Sequence, residues 1–282
     1  MATNVYGICG ASFSNPSALK SAGFIDFHQV IPGGGSSPDT SFVGTCTSLG
    51  VSPILNNGND GVAGWNGSDS YYATLASDGY MAAGGESEHN AEDQSIMSHM
   101  IFMNYGGQGT GGTGGGNNDI FGGGECSGVT GHGCASYLES YTDGSPALIS
   151  AEAMAQSAAS CKDHGCKEVG VMIGGWGVNY GWGASVYIAM ADAFSSAGVT
   201  CAGFVLWNGE GSDGNATYSS SASIISGLKA QWPPDTRTIK TRFAGGPTPP
   251  GPTPTPTPTP PVGTANNVRM NARMRLYQAG YE

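Results

Sequence analysis

The chain has 282 residues, a net charge of −11, only 11% charged residues and 48 glycines. An acidic chain lacks the basic surface that displaces counterions from nucleic acid, and anionic membrane surfaces are excluded on the same ground. No apolar run approaches the length of about 18 residues that suggests a membrane span.

Residues 1–246 form one compositional block, about the size of a single α/β barrel domain. Met1-Ala2-Thr3 leads directly into the first apolar run, so a leader is expected to have been removed. Val5–Cys9 is the first predicted strand. Asn15-Pro16-Ser17 opens a short helix, with Asn as cap and Pro in the first turn. Phe24–Ile31 is the second strand, Thr40–Leu49 a helix stopped by Gly50, and Val51–Leu55 the third strand. A helix over Ser68–Ala76 precedes a fourth strand, Gly79–Ala83. Ala91–Ser98 leads into a fifth, Met100–Tyr105.

Residues 106–146 have no apolar period and read as a long rim loop. Their glycines lack the strand and helix context of a phosphate loop. Ser150–His164 is a helix ended by Gly165, and Val169–Ile173 the sixth strand. Ser185–Ala197 is a helix with Val186, Met190 and Phe194 on one face. Phe204–Trp207 is the seventh strand, Ser221–Gln231 a helix, and Thr238–Phe243 a last strand. Runs of consecutive apolar residues alternating with helices imply a parallel sheet buried on both faces. The expected fold is α/β, a (β/α)8 TIM-like barrel in a single domain. A doubly wound sheet is the alternative, but no nucleotide fingerprint supports it.

From Pro247 the chain reads PTPPGPTPTPTPTPP, a polyproline II spacer over 247–262 with O-glycan candidates. Such a spacer joins modules, so a further module is expected in the full-length protein, which is read as a monomer. The tail, 263–282, is expected to be disordered. Among seven cysteines, Cys126/Cys134 and Cys161/Cys166 are local pairs suited to disulfides. Cys9–Cys46 is a third candidate, leaving Cys201 over. Zinc, with His132 and His164, is the alternative, but the spacings fit no usual knuckle. Asn66-Gly-Ser and Asn215-Ala-Thr are glycosylation acceptors in a eukaryotic setting. Low charge, abundant glycine and the Pro-Thr tract together point to a secreted, extracellular protein.

Two runs end alike. Gly79–Glu86 reads GYMAAGGE and Gly203–Glu210 reads GFVLWNGE. As parallel barrel strands they place Glu86 and Glu210 at one rim, and two facing carboxylates can cleave a glycosidic bond. Glu88 competes with Glu86. Other polar or aromatic residues at strand ends are Asp26 and His28, Asn104 and Tyr105, Trp176, Asn179, Tyr180 and Trp182, then Trp207, Asn208 and Asp213. The aromatics among them suit stacking on sugar rings.

These residues resemble retaining glycoside hydrolases built on a (β/α)8 barrel. In that family an acid/base glutamate follows strand four and a nucleophile glutamate follows strand seven. The resemblance implies that Glu86, or Glu88, protonates the leaving oxygen and later activates water, while Glu210 attacks the anomeric carbon. It departs from the family at Gly85, where an Asn usually precedes the acid. A weaker resemblance is to family 18 chitinases: Phe204-Val-Leu-Trp207 is similar to their last strand and Met103-Asn104-Tyr105 to their Met-x-Tyr-Asp, without their DxxDxDxE signature.

Plainer roles compete. A glutamate after a strand is often a solvated loop residue, Glu88 suits a helix N-terminus, and Trp207 inside an apolar run suits a core. His28 suits the barrel interior, on the same side of its strand as Asp26. His89 and His99 lack a matching ligand set, so no metal is expected, and no cofactor. No GxSxG elbow is present. Two functions follow: a secreted glycoside hydrolase acting on a polysaccharide or oligosaccharide, or a non-catalytic carbohydrate-binding or structural barrel.

Overall fold

The computed structural model describes residues 4–31, 39–57, 77–85, 99–105, 133–139, 141–142, 145–148, 150–163, 167–174, 181–207 and 212–243. The expected helices at 68–76 and 91–98, the Pro-Thr spacer and the tail lie mostly or wholly outside them.

Strand β1 is Val5–Gly10, β2 Asp26–Ile31, β3 Ser52–Asn57, β4 Ala82–Gly85 and β5 His99–Tyr105. Strand β6 is Gly133–Glu139, followed by a short antiparallel pair, β7 Tyr141–Thr142 and β8 Ser145–Leu148. Strands β9 (Glu168–Gly174) and β10 (Cys201–Trp207) complete the set. Eight of these are parallel and hydrogen-bonded in the order β1-β10-β9-β6-β5-β4-β3-β2. Strand β1 pairs with both β10 and β2, which closes the ladder into a barrel.

The described helices are α1 Pro16–Ser21, α2 Thr40–Leu49, α3 Ala151–Asp163, α4 Ala184–Ser196, α5 Gly214–Gln231 and α6 Ile239–Phe243. Local chemistry accounts for their ends. The Asn15 side chain accepts from the Ala18 amide at 3.1 Å and Pro16 occupies the first turn of α1. Asp39 caps α2, and Gly50 ends it in a left-handed conformation, φ 67°.

Two sequence expectations are corrected. The 106–146 segment is not wholly loop, because β6 lies in it and pairs with β5 over seven positions and with β9 over five. Its sequence, GCASYLE, has no uninterrupted apolar run, and its place is set by those two neighbours. Val169–Ile173 therefore belongs to the seventh barrel strand and Phe204–Trp207 to the eighth. The second correction is Thr238–Phe243. Residues 239–243 of that stretch form the short helix α6 instead of a strand.

Inside the barrel, successive residues alternate between interior and helix-facing sides. Phe27 stacks with Phe13 outside the sheet, and Phe13 in turn with Phe42 of α2. Tyr6 and Phe204 pack together beneath Trp232. Asp26, His28 and Tyr137 are fully or almost fully buried. A Cβ at Gly170 would lie 2.5 Å from the Tyr137 ring, so the missing side chain makes room for that ring. Gly203 sits at φ 138° where β10 slips register, and a Cβ there would lie 2.0 Å from the Val5 carbonyl oxygen.

The barrel floor, at the N-terminal ends of the strands, is closed by Arg242 from α6. Its guanidinium donates to Asp26 at 2.6 and 3.1 Å and to Glu168 at 2.8 and 3.4 Å, and also to the Arg237 carbonyl at 2.9 Å. The Arg242 and Asp26 side chains are 2% and 0% exposed, so the pair is a buried one. Burial works against the Arg242 charge, but Asp26 and Glu168 outweigh it and hold the guanidinium charged.

The predicted disulfides are a further correction. Cys46, Cys161 and Cys201 are buried thiols, so the Cys9–Cys46 and Cys161–Cys166 bridges are not formed. Burial pushes the Cys46 and Cys201 thiols up to about 12. The Cys126–Cys134 pairing lies outside the described residues.

Candidate active site

The C-terminal ends of the eight parallel strands define the rim where barrel enzymes place their reactive groups. Glu86 directly follows β4, whose last residue is Gly85. Glu210 comes three residues after β10 ends at Trp207. Both glutamates, and Glu88, Trp176, Asn179, Tyr180 and Asn208, lie outside the described residues.

The strand count changes how Glu210 reads. It follows the eighth barrel strand, not the seventh, so it does not occupy the position of the strand-seven nucleophile. Glu86 keeps its place after the fourth strand. Asn104 and Tyr105 end β5 as expected, with Tyr105 in register with Glu139.

Trp207 is the last residue of β10, in register with Gly174 at the end of β9, and only 8% exposed. Gly7 and Val205 are register partners on the same face as Asp26 and His28. Alternation then puts Trp207, two residues beyond Val205, on the interior side at the rim. Trp182 is half-buried against the core just before α4.

Asp213 has a different task from the one expected. It accepts from the Ser14 amide and hydroxyl, each at 2.8 Å, and pairs as a bridge with Ser12. Burial raises its carboxyl, but the Ser14 hydrogen bonds outweigh this and hold it below the usual carboxylate range. Beside it, Asn215 accepts from the Asn15 amide and donates to the Asn15 carbonyl, both at 2.9 Å. These contacts join the loop after β1 to the start of α5. They pin the rim between the end of β1 and the start of α5.

Asp26 and His28 share a face, as expected, but neither is at the rim. Asp26 begins β2 and is taken up by Arg242 at the floor. His28 is 1% exposed, and its Nε2 has no hydrogen-bond partner. Burial lowers its pKa to about 4, with Asp26 opposing and Arg242 reinforcing, so the imidazole is neutral at pH 7.

One strand-end carboxylate escaped the sequence reading. Glu139 is the last residue of β6, in register with Tyr105 and Met172. The signal was an apolar Tyr-Leu followed directly by a carboxylate, without the glycine of the two GE runs, and hidden by assigning the whole segment to a loop. Among the described residues no cluster of His, Cys, Asp and Glu is suited to hold a metal ion.

No family model matches the chain, and no curated protein matches it. Solved structures do, and TIM-barrel proteins of the glycoside-hydrolase-like kind are among them. The fold is similar to that of a chitinase from Ipomoea carnea, with a TM-score of 0.53 and 9% identity over 79% of this chain and 99% of that one. A xylanase and α-amylase inhibitor protein, solved in complex with trehalose, gives 0.51 at 13% identity over 81% and 99%. Concanavalin B gives 0.51 at 11% identity over 81% and 97%. At these identities the likeness is one of fold.

Proposed function

We propose that this chain is a secreted glycoside hydrolase acting on a polysaccharide or oligosaccharide, with Glu86 as the acid/base and Glu210 as its partner carboxylate. The observation that carries the reading is the parallel barrel with Glu86 directly after the fourth strand and Trp207 on the interior side at the end of the eighth. A tryptophan at that place suits the floor of a sugar site, and the rim carboxylates suit bond cleavage above it. Glu88 is the alternative acid. Tyr105, Trp176, Tyr180 and Trp182 are proposed as stacking walls, and Asn104, Asn179 and Asn208 as hydrogen-bonding groups. A complete (β/α)8 barrel, with a helix after each of β3, β4 and β5, belongs to the same proposal. So do the 1–246 domain, the 247–262 spacer, the tail and a monomeric state. Secretion is proposed from composition and the Pro-Thr tract, not from cystine.

In the mechanism, Glu86 protonates the departing oxygen. Glu210 attacks the anomeric carbon if the carboxyl groups stand about 5–5.5 Å apart, or activates water if they stand about 6.5–9.5 Å apart. The test is hydrolysis of a panel of soluble and insoluble glycans by the parent, Glu86→Gln and Glu210→Gln. Loss of about a hundredfold or more in each variant is expected. Unchanged activity in both would overturn the residue assignment.

A second reading, a non-catalytic carbohydrate-binding barrel, is favoured by β4 itself. Its last residue is Gly85, where the retaining hydrolases that the chain resembles usually have an Asn before the acid. The inhibitor protein with a similar fold also belongs to this reading. Binding of a glycan without hydrolysis of any panel member would select it.

A further inference from the structure

A cavity of ≈ 300 Å³ opens at the barrel floor, the face opposite the rim, and takes no part in the site above. Its walls come from the starts of β1, β9 and β10, the end of α3 and the segment from Asp235 to Arg242. In a chain of net charge −11 its lining is cationic: Lys162, Lys167, Arg237 and Arg242 face Glu168 and Asp235.

The ion pairs do not use up that charge. Arg242 is taken by Asp26 and Glu168, and Arg237 by Asp235 at 2.7 Å. Lys162 and Lys167 have no ion pair among the described residues and are exposed at the cavity wall. An independent observation points the same way. Asn4 lines the cavity and is 2% exposed, while its backbone is fixed by bonds to Pro233 and Asp235. Its Nδ2, a donor, has no hydrogen-bond partner. A buried donor without an acceptor costs about 1–3 kcal/mol unless something supplies one. The missing group is an acceptor, and the cavity lining holds four cationic side chains against two carboxylates.

We infer that the floor cavity binds a small oxyanion, a phosphate or carboxylate group, held by the Asn4 amide and the ammonium groups of Lys162 and Lys167. The volume admits a small metabolite bearing that group as well as the free ion.

The experiment is titration calorimetry and thermal unfolding of the full chain with inorganic phosphate and, separately, succinate, at constant ionic strength set with sodium chloride. Saturable binding in the millimolar range or tighter by at least one anion is expected, with a Tm that rises with its concentration. Phosphate alone binding identifies a phosphoryl ligand, and succinate alone a carboxylate. Asn4→Asp replaces the donor by a like charge and is expected to weaken binding at least about tenfold. The double variant Lys162→Gln/Lys167→Gln, at exposed positions that leave the core intact, is expected to weaken it by a similar factor. Glu86→Gln is expected to bind as the parent does, which separates this site from the rim. Absence of saturable binding by both anions up to about 10 mM would overturn the inference. So would parental affinity in the double lysine variant, whether or not Asn4→Asp folds.

Discussion

Replacing Arg242 by Leu removes the cation that closes the barrel floor. The parent guanidinium serves two carboxylates, Asp26 at 2.6 Å and Glu168 at 2.8 Å, and the Asp26 side chain is 0% exposed. Without Arg242, Asp26 is left as a buried carboxylate with no counter-charge. Breaking a buried pair from one side costs about 3–5 kcal/mol. A domain holds about 5–15 kcal/mol in total, so this is a large share of its stability. At about 2–4 °C per kcal/mol for a domain of this size, Tm should fall by roughly 6–20 °C. The assay is thermal and urea unfolding at pH 7 of Arg242→Leu, Asp26→Asn and the double variant. The double variant should recover part of the loss, because it no longer buries an unpaired charge. A Tm for Arg242→Leu within about 2 °C of the parent, or a double variant worse than the sum of the singles, would refute the reasoning.

His28 predicts a pH dependence of stability. Its folded pKa is about 4, against an ordinary 6.5, because burial penalises the charged ring. The unfolded state therefore takes up the proton first, so stability is complete above 6.5 and falls as pH drops toward 4, by about 3 kcal/mol at the end of that window. Urea midpoints should show this fall in the parent and a flatter profile in His28→Leu; parallel profiles would count against it. Gly170→Ala drives a methyl into the Tyr137 ring and the Gly203 carbonyl, with gaps of 2.5 and 2.7 Å, and should cost about 1–3 kcal/mol in a urea melt. The Asn215 amide is engaged on both its atoms and Thr217 is 1% exposed, so peptide mass spectrometry after expression in a eukaryotic host should find no glycan there. Trp207→Phe should keep the fold but weaken glycan binding by about tenfold in calorimetry; unchanged affinity would make Trp207 a core residue only.

Several elements were legible because their signals are local. Asn15-Pro16 starts α1 and Gly50 stops α2, since a cap, a fixed φ and a left-handed residue act within a few positions. Strands β1, β9 and β10 are buried along nearly all their length, so they appear as continuous apolar runs. Strand β6 was not legible. Glycine, serine and a terminal glutamate dilute its apolar content, and it is a strand because β5 and β9 flank it with open hydrogen-bonding edges. Helix α6 shows the converse. Its alternating Ile-Lys-Thr-Arg-Phe suits a strand, but as a helix it brings Arg242 to two buried acids.

The sequence by itself determined a parallel α/β chain and two carboxylates following strands, because burial on both faces and glycine-broken strand ends are written in consecutive residues. Only the tertiary structure decided that Glu210 follows the eighth strand and that Asp26 serves the floor. It also decided that Asp213 and Asn215 clamp two loops, and that a cationic cavity lies beneath the barrel. Each of these depends on which distant segments meet, as Asp26 and Arg242 do across 216 residues, and such long-range pairing leaves no local pattern to read.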